Sequence, residues 1–436
     1  MVFTKRSERE KMSKTPMRMA IVSSFSDSCG NAAFTTVLRD SIERYTPISV
    51  DVAELNLSLT QSMDGRFRQA ARKHIKDLCQ RLREADGVNI QFEAGLYGTY
   101  PGDIVRRMKM LASANKNTSV TLHSPRLVSA AASDVRQGIK KVLTLQVVDG
   151  MRQLVGSQLR KTGVSINKQV IEFLSRRGCR LIVHTERARE QIRALYQYDN
   201  IDVHPLRMIQ HPHADQSSLM RKVRLTAGIG EGDTVIGMFG YISAYKGHLD
   251  ALEALRYLPP NYKLLVFGRQ HPQTLKTDGK VDDYLKKLQK KVLDDGIRDR
   301  VFFMGELGHE DFLAAAASVD VVWLPYYENG QDGSGIASIC LELAPRVLCS
   351  TSFAFDELFR LIRYQNCERF DIGNVLELAK KTEMVMRRET PSRPFGDDTT
   401  YTLRSQALMY AKSIGWRGAT PVHDEASIGS LVKGAA

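Results

Sequence analysis

The stretch from Tyr326 to Ala344 holds the residues whose types and spacing point most directly to chemistry. An apolar run, Val319-Asp-Val-Val-Trp-Leu-Pro325, reads as a buried strand that ends at its proline. Gly330, Gly333 and Gly335 follow in a flexible loop, and an apolar segment carrying Glu342 then reads as a helix. A loop opening a helix presents unpaired backbone N–H groups to an anion. Glu342 lies seven residues beyond Gly335, two turns into the helix, where a carboxylate can accept hydrogen bonds from ligand hydroxyls. Phosphate at one end and sugar hydroxyls at the other describe a nucleotide. The same segment is also compatible with an ordinary strand–turn–helix crossover.

The elements that must position this loop follow from pattern. The chain has 436 residues, enough for two domains that each bury a core. No apolar run reaches the about 20 residues of a membrane helix, and residues 1–16 read as a disordered tail without the apolar stretch of a secretory signal. Six scattered cysteines with no C-x-x-C pair argue against a zinc site or a disulfide framework and fit a reducing cytoplasm. Charge is uneven: residues 1–215 hold 34 Lys+Arg against 21 Asp+Glu, whereas residues 216–436 hold 28 of each. A one-sided basic half favours an anionic partner, with peripheral contact to an anionic membrane through residues 1–215 as the expectation. A solvated helix surface would give the same count. No nucleic-acid module is present, so no nucleic-acid partner is expected.

Strands are predicted at Met19–Ser24, Ile48–Val52, Gly87–Gln91, Ser119–Leu122, Lys141–Val147, Arg180–Val183 and Arg207–Gln210. Helical patterns separate most of them, at 32–45, 66–85, 101–114, 150–158, 166–176 and 186–196. After a polar link around 212–232 the alternation restarts, with strands at Thr234–Phe239, Lys263–Phe267, Val301–Phe303, Val319–Leu324 and Val347–Cys349. Strands alternating with helices imply an α/β fold with two Rossmann-like, doubly wound parallel sheets, facing a central cleft at the carboxyl ends of their strands. The expected domains are 17–215, binding the acceptor, 216–400, binding the donor, and a last helix within 401–430 that crosses back to the first. A nicotinamide enzyme is disfavoured. The first strand–helix loop carries only Gly30, and Gly228-Ile-Gly-Glu-Gly232 precedes a strand instead of following one.

Several segments together resemble family 4 glycosyltransferases of the retaining GT-B class. Met238-Phe-Gly-Tyr-Ile-Ser-Ala-Tyr-Lys-Gly-His-Leu-Asp-Ala-Leu252 resembles that family's glycine–arginine–x5–lysine–glycine turn, and Val301-Phe-Phe-Met-Gly305 its V-x-F-x-G strand. Ser334 to Glu342 matches E-G-F-G-L-P-x-L-E in register, followed by Val347-Leu-Cys-Ser-Thr351. Ile90-Gln-Phe-Glu-Ala-Gly-Leu-Tyr-Gly98 and Val120-Thr-Leu-His-Ser124 resemble first-domain segments, and Ile414-Gly-Trp416 the terminal helix. Two positions depart from the pattern. Ser334 replaces the first glutamate of the E-x7-E pair, as in a Gly/Ser-loop bacterial subfamily, and Tyr241 replaces the arginine after Gly240.

The resemblance implies transfer of a sugar from a nucleotide-diphosphate sugar donor to a glycan, glycolipid or lipid-linked acceptor, in surface polysaccharide or glycolipid biosynthesis. Lys246 would meet the donor pyrophosphate, since a compact ammonium suits phosphate oxygens. Gly240, Gly333, Ser334 and Gly335 would approach phosphates or sugar, with Asp332 either a substitute carboxylate or a turn former. Glu342 would accept from ribose hydroxyls, and Arg269 would hold a phosphate or sugar hydroxyl or else lie at the surface. His123 would orient the reacting sugar or acceptor, unless it is structural. Gly30 and Asn31 would lie near the donor phosphates. Gln91 and Glu93 would end a strand at the cleft, with Glu93 binding acceptor hydroxyls or acting as acid/base. His211 and His213 are expected to line the hinge and not to bind metal. No cofactor or metal is expected, because Lys246 and backbone N–H groups can neutralise the pyrophosphate. The donor's own phosphate oxygen would help deprotonate the acceptor. The expected place is the cytoplasm, at the inner face of the cell membrane. The other reading, motivated by Ser334 and Tyr241, is a catalytically silent GT-B protein that binds nucleotide or scaffolds a partner.

Overall fold

The computed structural model describes residues 16–26, 30–127, 147–209, 216–270, 283–328, 331–362, 364–390 and 400–418. The predicted strand at Lys141–Val147 falls outside them, apart from Val147, which opens a helix. His211, His213 and Gly330 also lie outside the described residues.

Among the described residues, twelve strands form two six-stranded sheets. The first comprises β1 (Arg18–Ser23), β2 (Ser49–Glu54), β3 (Gly87–Phe92), β4 (Thr118–Leu122), β5 (Arg180–Val183) and β6 (Ile201–Val203), in the order β2-β1-β3-β4-β5-β6. The second comprises β7 (Thr234–Phe239), β8 (Tyr262–Phe267), β9 (Val301–Gly305), β10 (Val321–Leu324), β11 (Val347–Ser350) and β12 (Cys367–Phe370), in the order β12-β11-β10-β7-β8-β9. Both are parallel, and the helices between strands flank them, so the α/β expectation of two doubly wound sheets holds. In the second sheet, β10 is apolar along its whole length because helices cover both faces. Val322, Trp323 and Leu324 of β10 are buried in full, split between two clusters on opposite sides of the sheet.

Local differences from the expectation have physical causes. The separate helices at 150–158 and 166–176 are one helix, Val147–Arg176, which continues through Gly163. Residues 207–209 form no strand, and Gln210 lies outside the described residues; β6 at Ile201–Val203 takes that edge, since Pro205 cannot donate to a ladder. The polar link contains a helix, Gln216–Ala227, whose Met220 and Val223 are buried in the core of the second sheet. β12 was missed because an edge strand with Cys, Glu and Arg lacks an apolar pattern.

The chain divides into two compact units. One consists of residues 1–121, 173–181 and 404–436, and the other of residues 122–172 and 182–403. The first unit has a buried polar seam. Asn89 of β3 donates to Ser119 Oγ at 3.0 Å, and Gln91 donates to Asn89. Thr121 Oγ1 donates to the Tyr410 hydroxyl at 3.0 Å, and Ser413 Oγ to Ser119 Oγ at 2.9 Å. Tyr410 and Ser413 belong to the helix Leu403–Ser413, so these bonds hold it on β3 and β4. Gln91 is fully buried in this seam and not at an open strand end.

Candidate functional site

The second unit builds its candidate site from the end of β7. The strand stops at Phe239, Gly240 adopts φ 92°, and a single helical turn Ala244–Lys246 leads through Gly247 into the helix His248–Arg256. This turn swings Lys246 inward, where it is 4% exposed. Its Nζ donates to the Tyr326 hydroxyl at 2.8 Å and to the Phe239 carbonyl at 3.3 Å. A Cβ on Gly240 would stand 2.8 Å from that Nζ, so glycine leaves the ammonium its room. Burial pulls the Lys246 pKa below its ordinary value, with Tyr245 and Cys340 opposing. Among the described residues no carboxylate forms an ion pair with Lys246. A buried ammonium without a counter-charge is costly and is an attractive seat for an anion.

Tyr326 extends this arrangement to the loop. It follows β10 and Pro325 and is 2% exposed, and burial pushes its hydroxyl pKa up, with the Ser334 side chain opposing. Ser334 is also the N-cap of the helix Gly335–Leu343, its Oγ accepting from the Ala337 N–H at 3.2 Å. The residue found where a glutamate was expected is therefore a helix cap. Gly333 packs beneath the segment 204–206, where a Cβ would meet Leu206 Cδ1 at 3.3 Å. Asp332, 7% exposed, is ion-paired with Arg187 at 2.9 Å. Its carboxyl is pushed up by burial, with Arg187 opposing. His184, Leu206, Asp332, Ser334 and Glu357 line one concavity. Glu357 is 6% exposed, accepts from the Arg187 N–H at 3.4 Å, and keeps its second oxygen buried without a partner.

Glu342 lies on the same helix but faces elsewhere. Its carboxylate is 3.4 Å from Arg207 and accepts from Ser338 Oγ at 3.4 Å, while Ser338 Oγ also donates to the Leu206 carbonyl at 2.5 Å. Burial pushes its pKa up to about 7, against the opposing pull of Arg207 and Ser338. His123 follows β4, half-buried, with Nδ1 3.2 Å from Nε2 of His184. Arg269 is paired with Glu306 at 3.1 Å, its guanidinium carbon 5.8 Å from the ring centre of Tyr241.

The second unit thus brings Gly240 and Tyr326 to Lys246, and places Gly333 beside His184, the partner of His123. Glu342 and Arg269 have ion-pair partners of their own. Gly30, Asn31 and Glu93 belong to the first unit. Gly30 opens the helix Gly30–Tyr45 with nothing within 4 Å of a Cβ, and the Asn31 carbonyl accepts from Thr35 Oγ1 at 2.7 Å. Glu93 precedes the short helix Ala94–Tyr97 and accepts from Leu96 at 2.9 Å through its carbonyl. Arg187, His184, Arg207, Tyr326 and Glu357 carried no assigned role in the sequence. The one signal for His184 was its place directly after β5, as His123 follows β4. Among the described residues no cluster of three metal-ligating side chains occurs, and no helix is long and apolar enough to cross a membrane.

Residues 221–339 match the model of the family described as "Glycosyl transferases group 1". No curated protein matches the chain in sequence. Among solved structures, HepE from Anabaena in complex with UDP aligns with TM-score 0.54 and 14% identity, over 96% of this chain and 98% of that one. A glycosyltransferase from Rickettsia africae aligns with TM-score 0.59 and 9% identity, over 92% and 100%. Sucrose-phosphate synthase from Thermosynechococcus elongatus aligns with TM-score 0.58 and 14% identity, over 96% and 98%. The chain has the two-sheet α/β fold of the GT-B glycosyltransferases, and its residues 221–339 are similar to the group 1 glycosyl transferases.

Proposed function

We propose that this protein is a retaining glycosyltransferase that moves a sugar from a nucleotide-diphosphate sugar to a glycan, glycolipid or lipid-linked acceptor, in surface polysaccharide or glycolipid assembly. The observation that carries the reading is Lys246. It is a buried ammonium without an ion-pair partner among the described residues, and it donates to the hydroxyl of Tyr326, the second residue after β10. In this reading Lys246 and the amides of Gly333, Ser334 and Gly335 hold the pyrophosphate and stabilise the departing nucleoside diphosphate, without a metal. Glu342 takes the ribose hydroxyls once it shares its charge with Arg207. His123 faces the sugar, and Gly30, Asn31 and Glu93 serve the phosphates and the acceptor. The complexes of HepE with UDP and with UDP-glucose support uridine donors as the first to test. Arg66, Arg68 and Arg72, exposed beside the exposed Met63 and Phe67, support peripheral contact of the first unit with an anionic membrane.

The test is a panel of UDP, GDP, ADP and CDP sugars read as free nucleotide released, for the natural protein, Lys246→Ala and Glu342→Ala. Release with one donor class, lost in Lys246→Ala, is the expected result; equal release in all three proteins overturns the assignment. One observation favours a second reading, a catalytically silent nucleotide-binding protein: Glu342 is ion-paired with Arg207, while Ser334 caps its helix. Thermal stabilisation by a nucleoside diphosphate, without release from any sugar donor, would select it.

A further inference from the structure

Three neighbouring strands of the first sheet, β4, β5 and β6, end beside one another, and each is followed at once by a histidine: His123, His184 and His204. The last anchors the row through its backbone. Its N–H donates to the Val183 carbonyl at 3.0 Å, and its carbonyl faces His184 Nδ1 at 3.1 Å. A carbonyl oxygen only accepts, so His184 carries its proton on Nδ1. The Nε2 lone pair of His184 then faces His123 Nδ1 at 3.2 Å, and a proton on that Nδ1 makes this contact a hydrogen bond. Burial lowers both ring pKa values, that of His184 to about 4, so both rings are neutral near pH 7.

We propose that His184 is a positioning residue that fixes His123 in the tautomer protonated on Nδ1, so that His123 presents Nε2 to its ligand as a hydrogen-bond acceptor. The group recognised there is accordingly a hydroxyl that donates, and a phosphate or carbonyl oxygen is disfavoured. The ligand side of this statement rests on the sugar-transfer reading above; the tautomer does not. His184 lines the concavity with Asp332 and Ser334, so the residue that fixes the tautomer stands beside the loop that caps the helix Gly335–Leu343.

The experiment is long-range proton–nitrogen correlation of ring nitrogens in protein labelled with 15N-histidine, with His123 assigned by its loss in His123→Gln. Protonation of His123 at Nδ1 is expected in the natural protein. His184→Phe keeps a flat ring but offers no acceptor, and should shift His123 to protonation on Nε2; His184→Gln restores an acceptor and should keep it on Nδ1. Protonation on Nε2 in the natural protein overturns the proposal, whether or not either variant folds, and so does an unchanged tautomer in His184→Phe. With an active donor in hand, His184→Phe should lower kcat about tenfold or more with donor KM nearly unchanged, and His184→Gln should recover most of it. An equal loss in both variants, with unchanged spectra, marks a merely structural residue. Failure of every donor to react would count against sugar transfer and leave the spectra to decide the tautomer.

Discussion

Gly247 and Pro325 approach so closely that a Cβ on the glycine would fall 1.9 Å from the proline carbonyl oxygen. The glycine also holds φ 70°, a conformation that side-chain-bearing residues rarely adopt. The turn that buries Lys246 therefore rests on the end of β10, the strand that delivers Tyr326. Gly247→Ala should lower unfolding stability by about 3 kcal/mol in urea titration, from backbone strain plus an unrelieved contact. Gly65→Ala, where nothing lies within 4 Å of the new carbon, should stay within about 0.5 kcal/mol.

Lys246→Met separates binding from folding. Replacing an unpaired buried cation by an apolar chain of similar length should raise ligand-free stability by about 1–2 kcal/mol. The same change should weaken nucleoside diphosphate binding more than about tenfold by calorimetry, a loss above about 1.4 kcal/mol. A variant both less stable and equally able to bind would show that the ammonium is a structural group.

Glu342 gives stability a pH dependence of definite sign. Its folded pKa of about 7 stands above its ordinary 4.5, so the folded protein binds this proton more tightly than the unfolded chain. That stabilisation is complete below about pH 4.5 and is lost as pH rises through about 7. Glu342→Gln removes the dependence. Its stability relative to the natural protein should climb by about 3 kcal/mol across that window, followed by denaturant unfolding at several pH values.

The buried histidines act in the opposite direction. His184 and His204 are held down to about 4 and His248 to about 3, in each case chiefly by burial. Their neutral forms are favoured by folding, so stability present above pH 6.5 is lost as pH falls toward 4. His248→Gln should flatten part of this acid slope, because His248 takes up a proton on unfolding; an unchanged slope would show that it titrates normally in the fold.

The fold was legible where period and length agreed. The helix at 101–114 and β7 at Thr234–Phe239 fall where apolar spacing puts them, because each buries one continuous face or strand. The backbone of the site was legible for the same reason, since an apolar run followed by Gly330, Gly333 and Gly335 announces a strand–loop–helix turn, although the cap at Ser334 was not read. Partners were not. Nothing in the spacing of Arg207 and Glu342 tells that they pair, because the contact joins an irregular segment to a helix 135 positions along the chain. His184 stayed hidden because one histidine after a strand says nothing of the histidine that ends its neighbour. Tyr326 reads as the start of a loop, although its hydroxyl accepts from the buried Lys246.

The helix Leu403–Ser413 has a consequence for how the protein is made. Its Tyr410 and Ser413 complete hydrogen bonds begun by Thr121 and Ser119, almost 300 residues earlier. A Cβ on Gly87 would come 2.5 Å from Ile414 Cβ, so the first sheet's helix is seated without slack. During synthesis the first strands therefore emerge with a polar groove that stays open until almost 300 further residues have been translated. Such long-range closure is slow and leaves partly folded intermediates exposed. The first unit to be synthesised is the last that can finish folding.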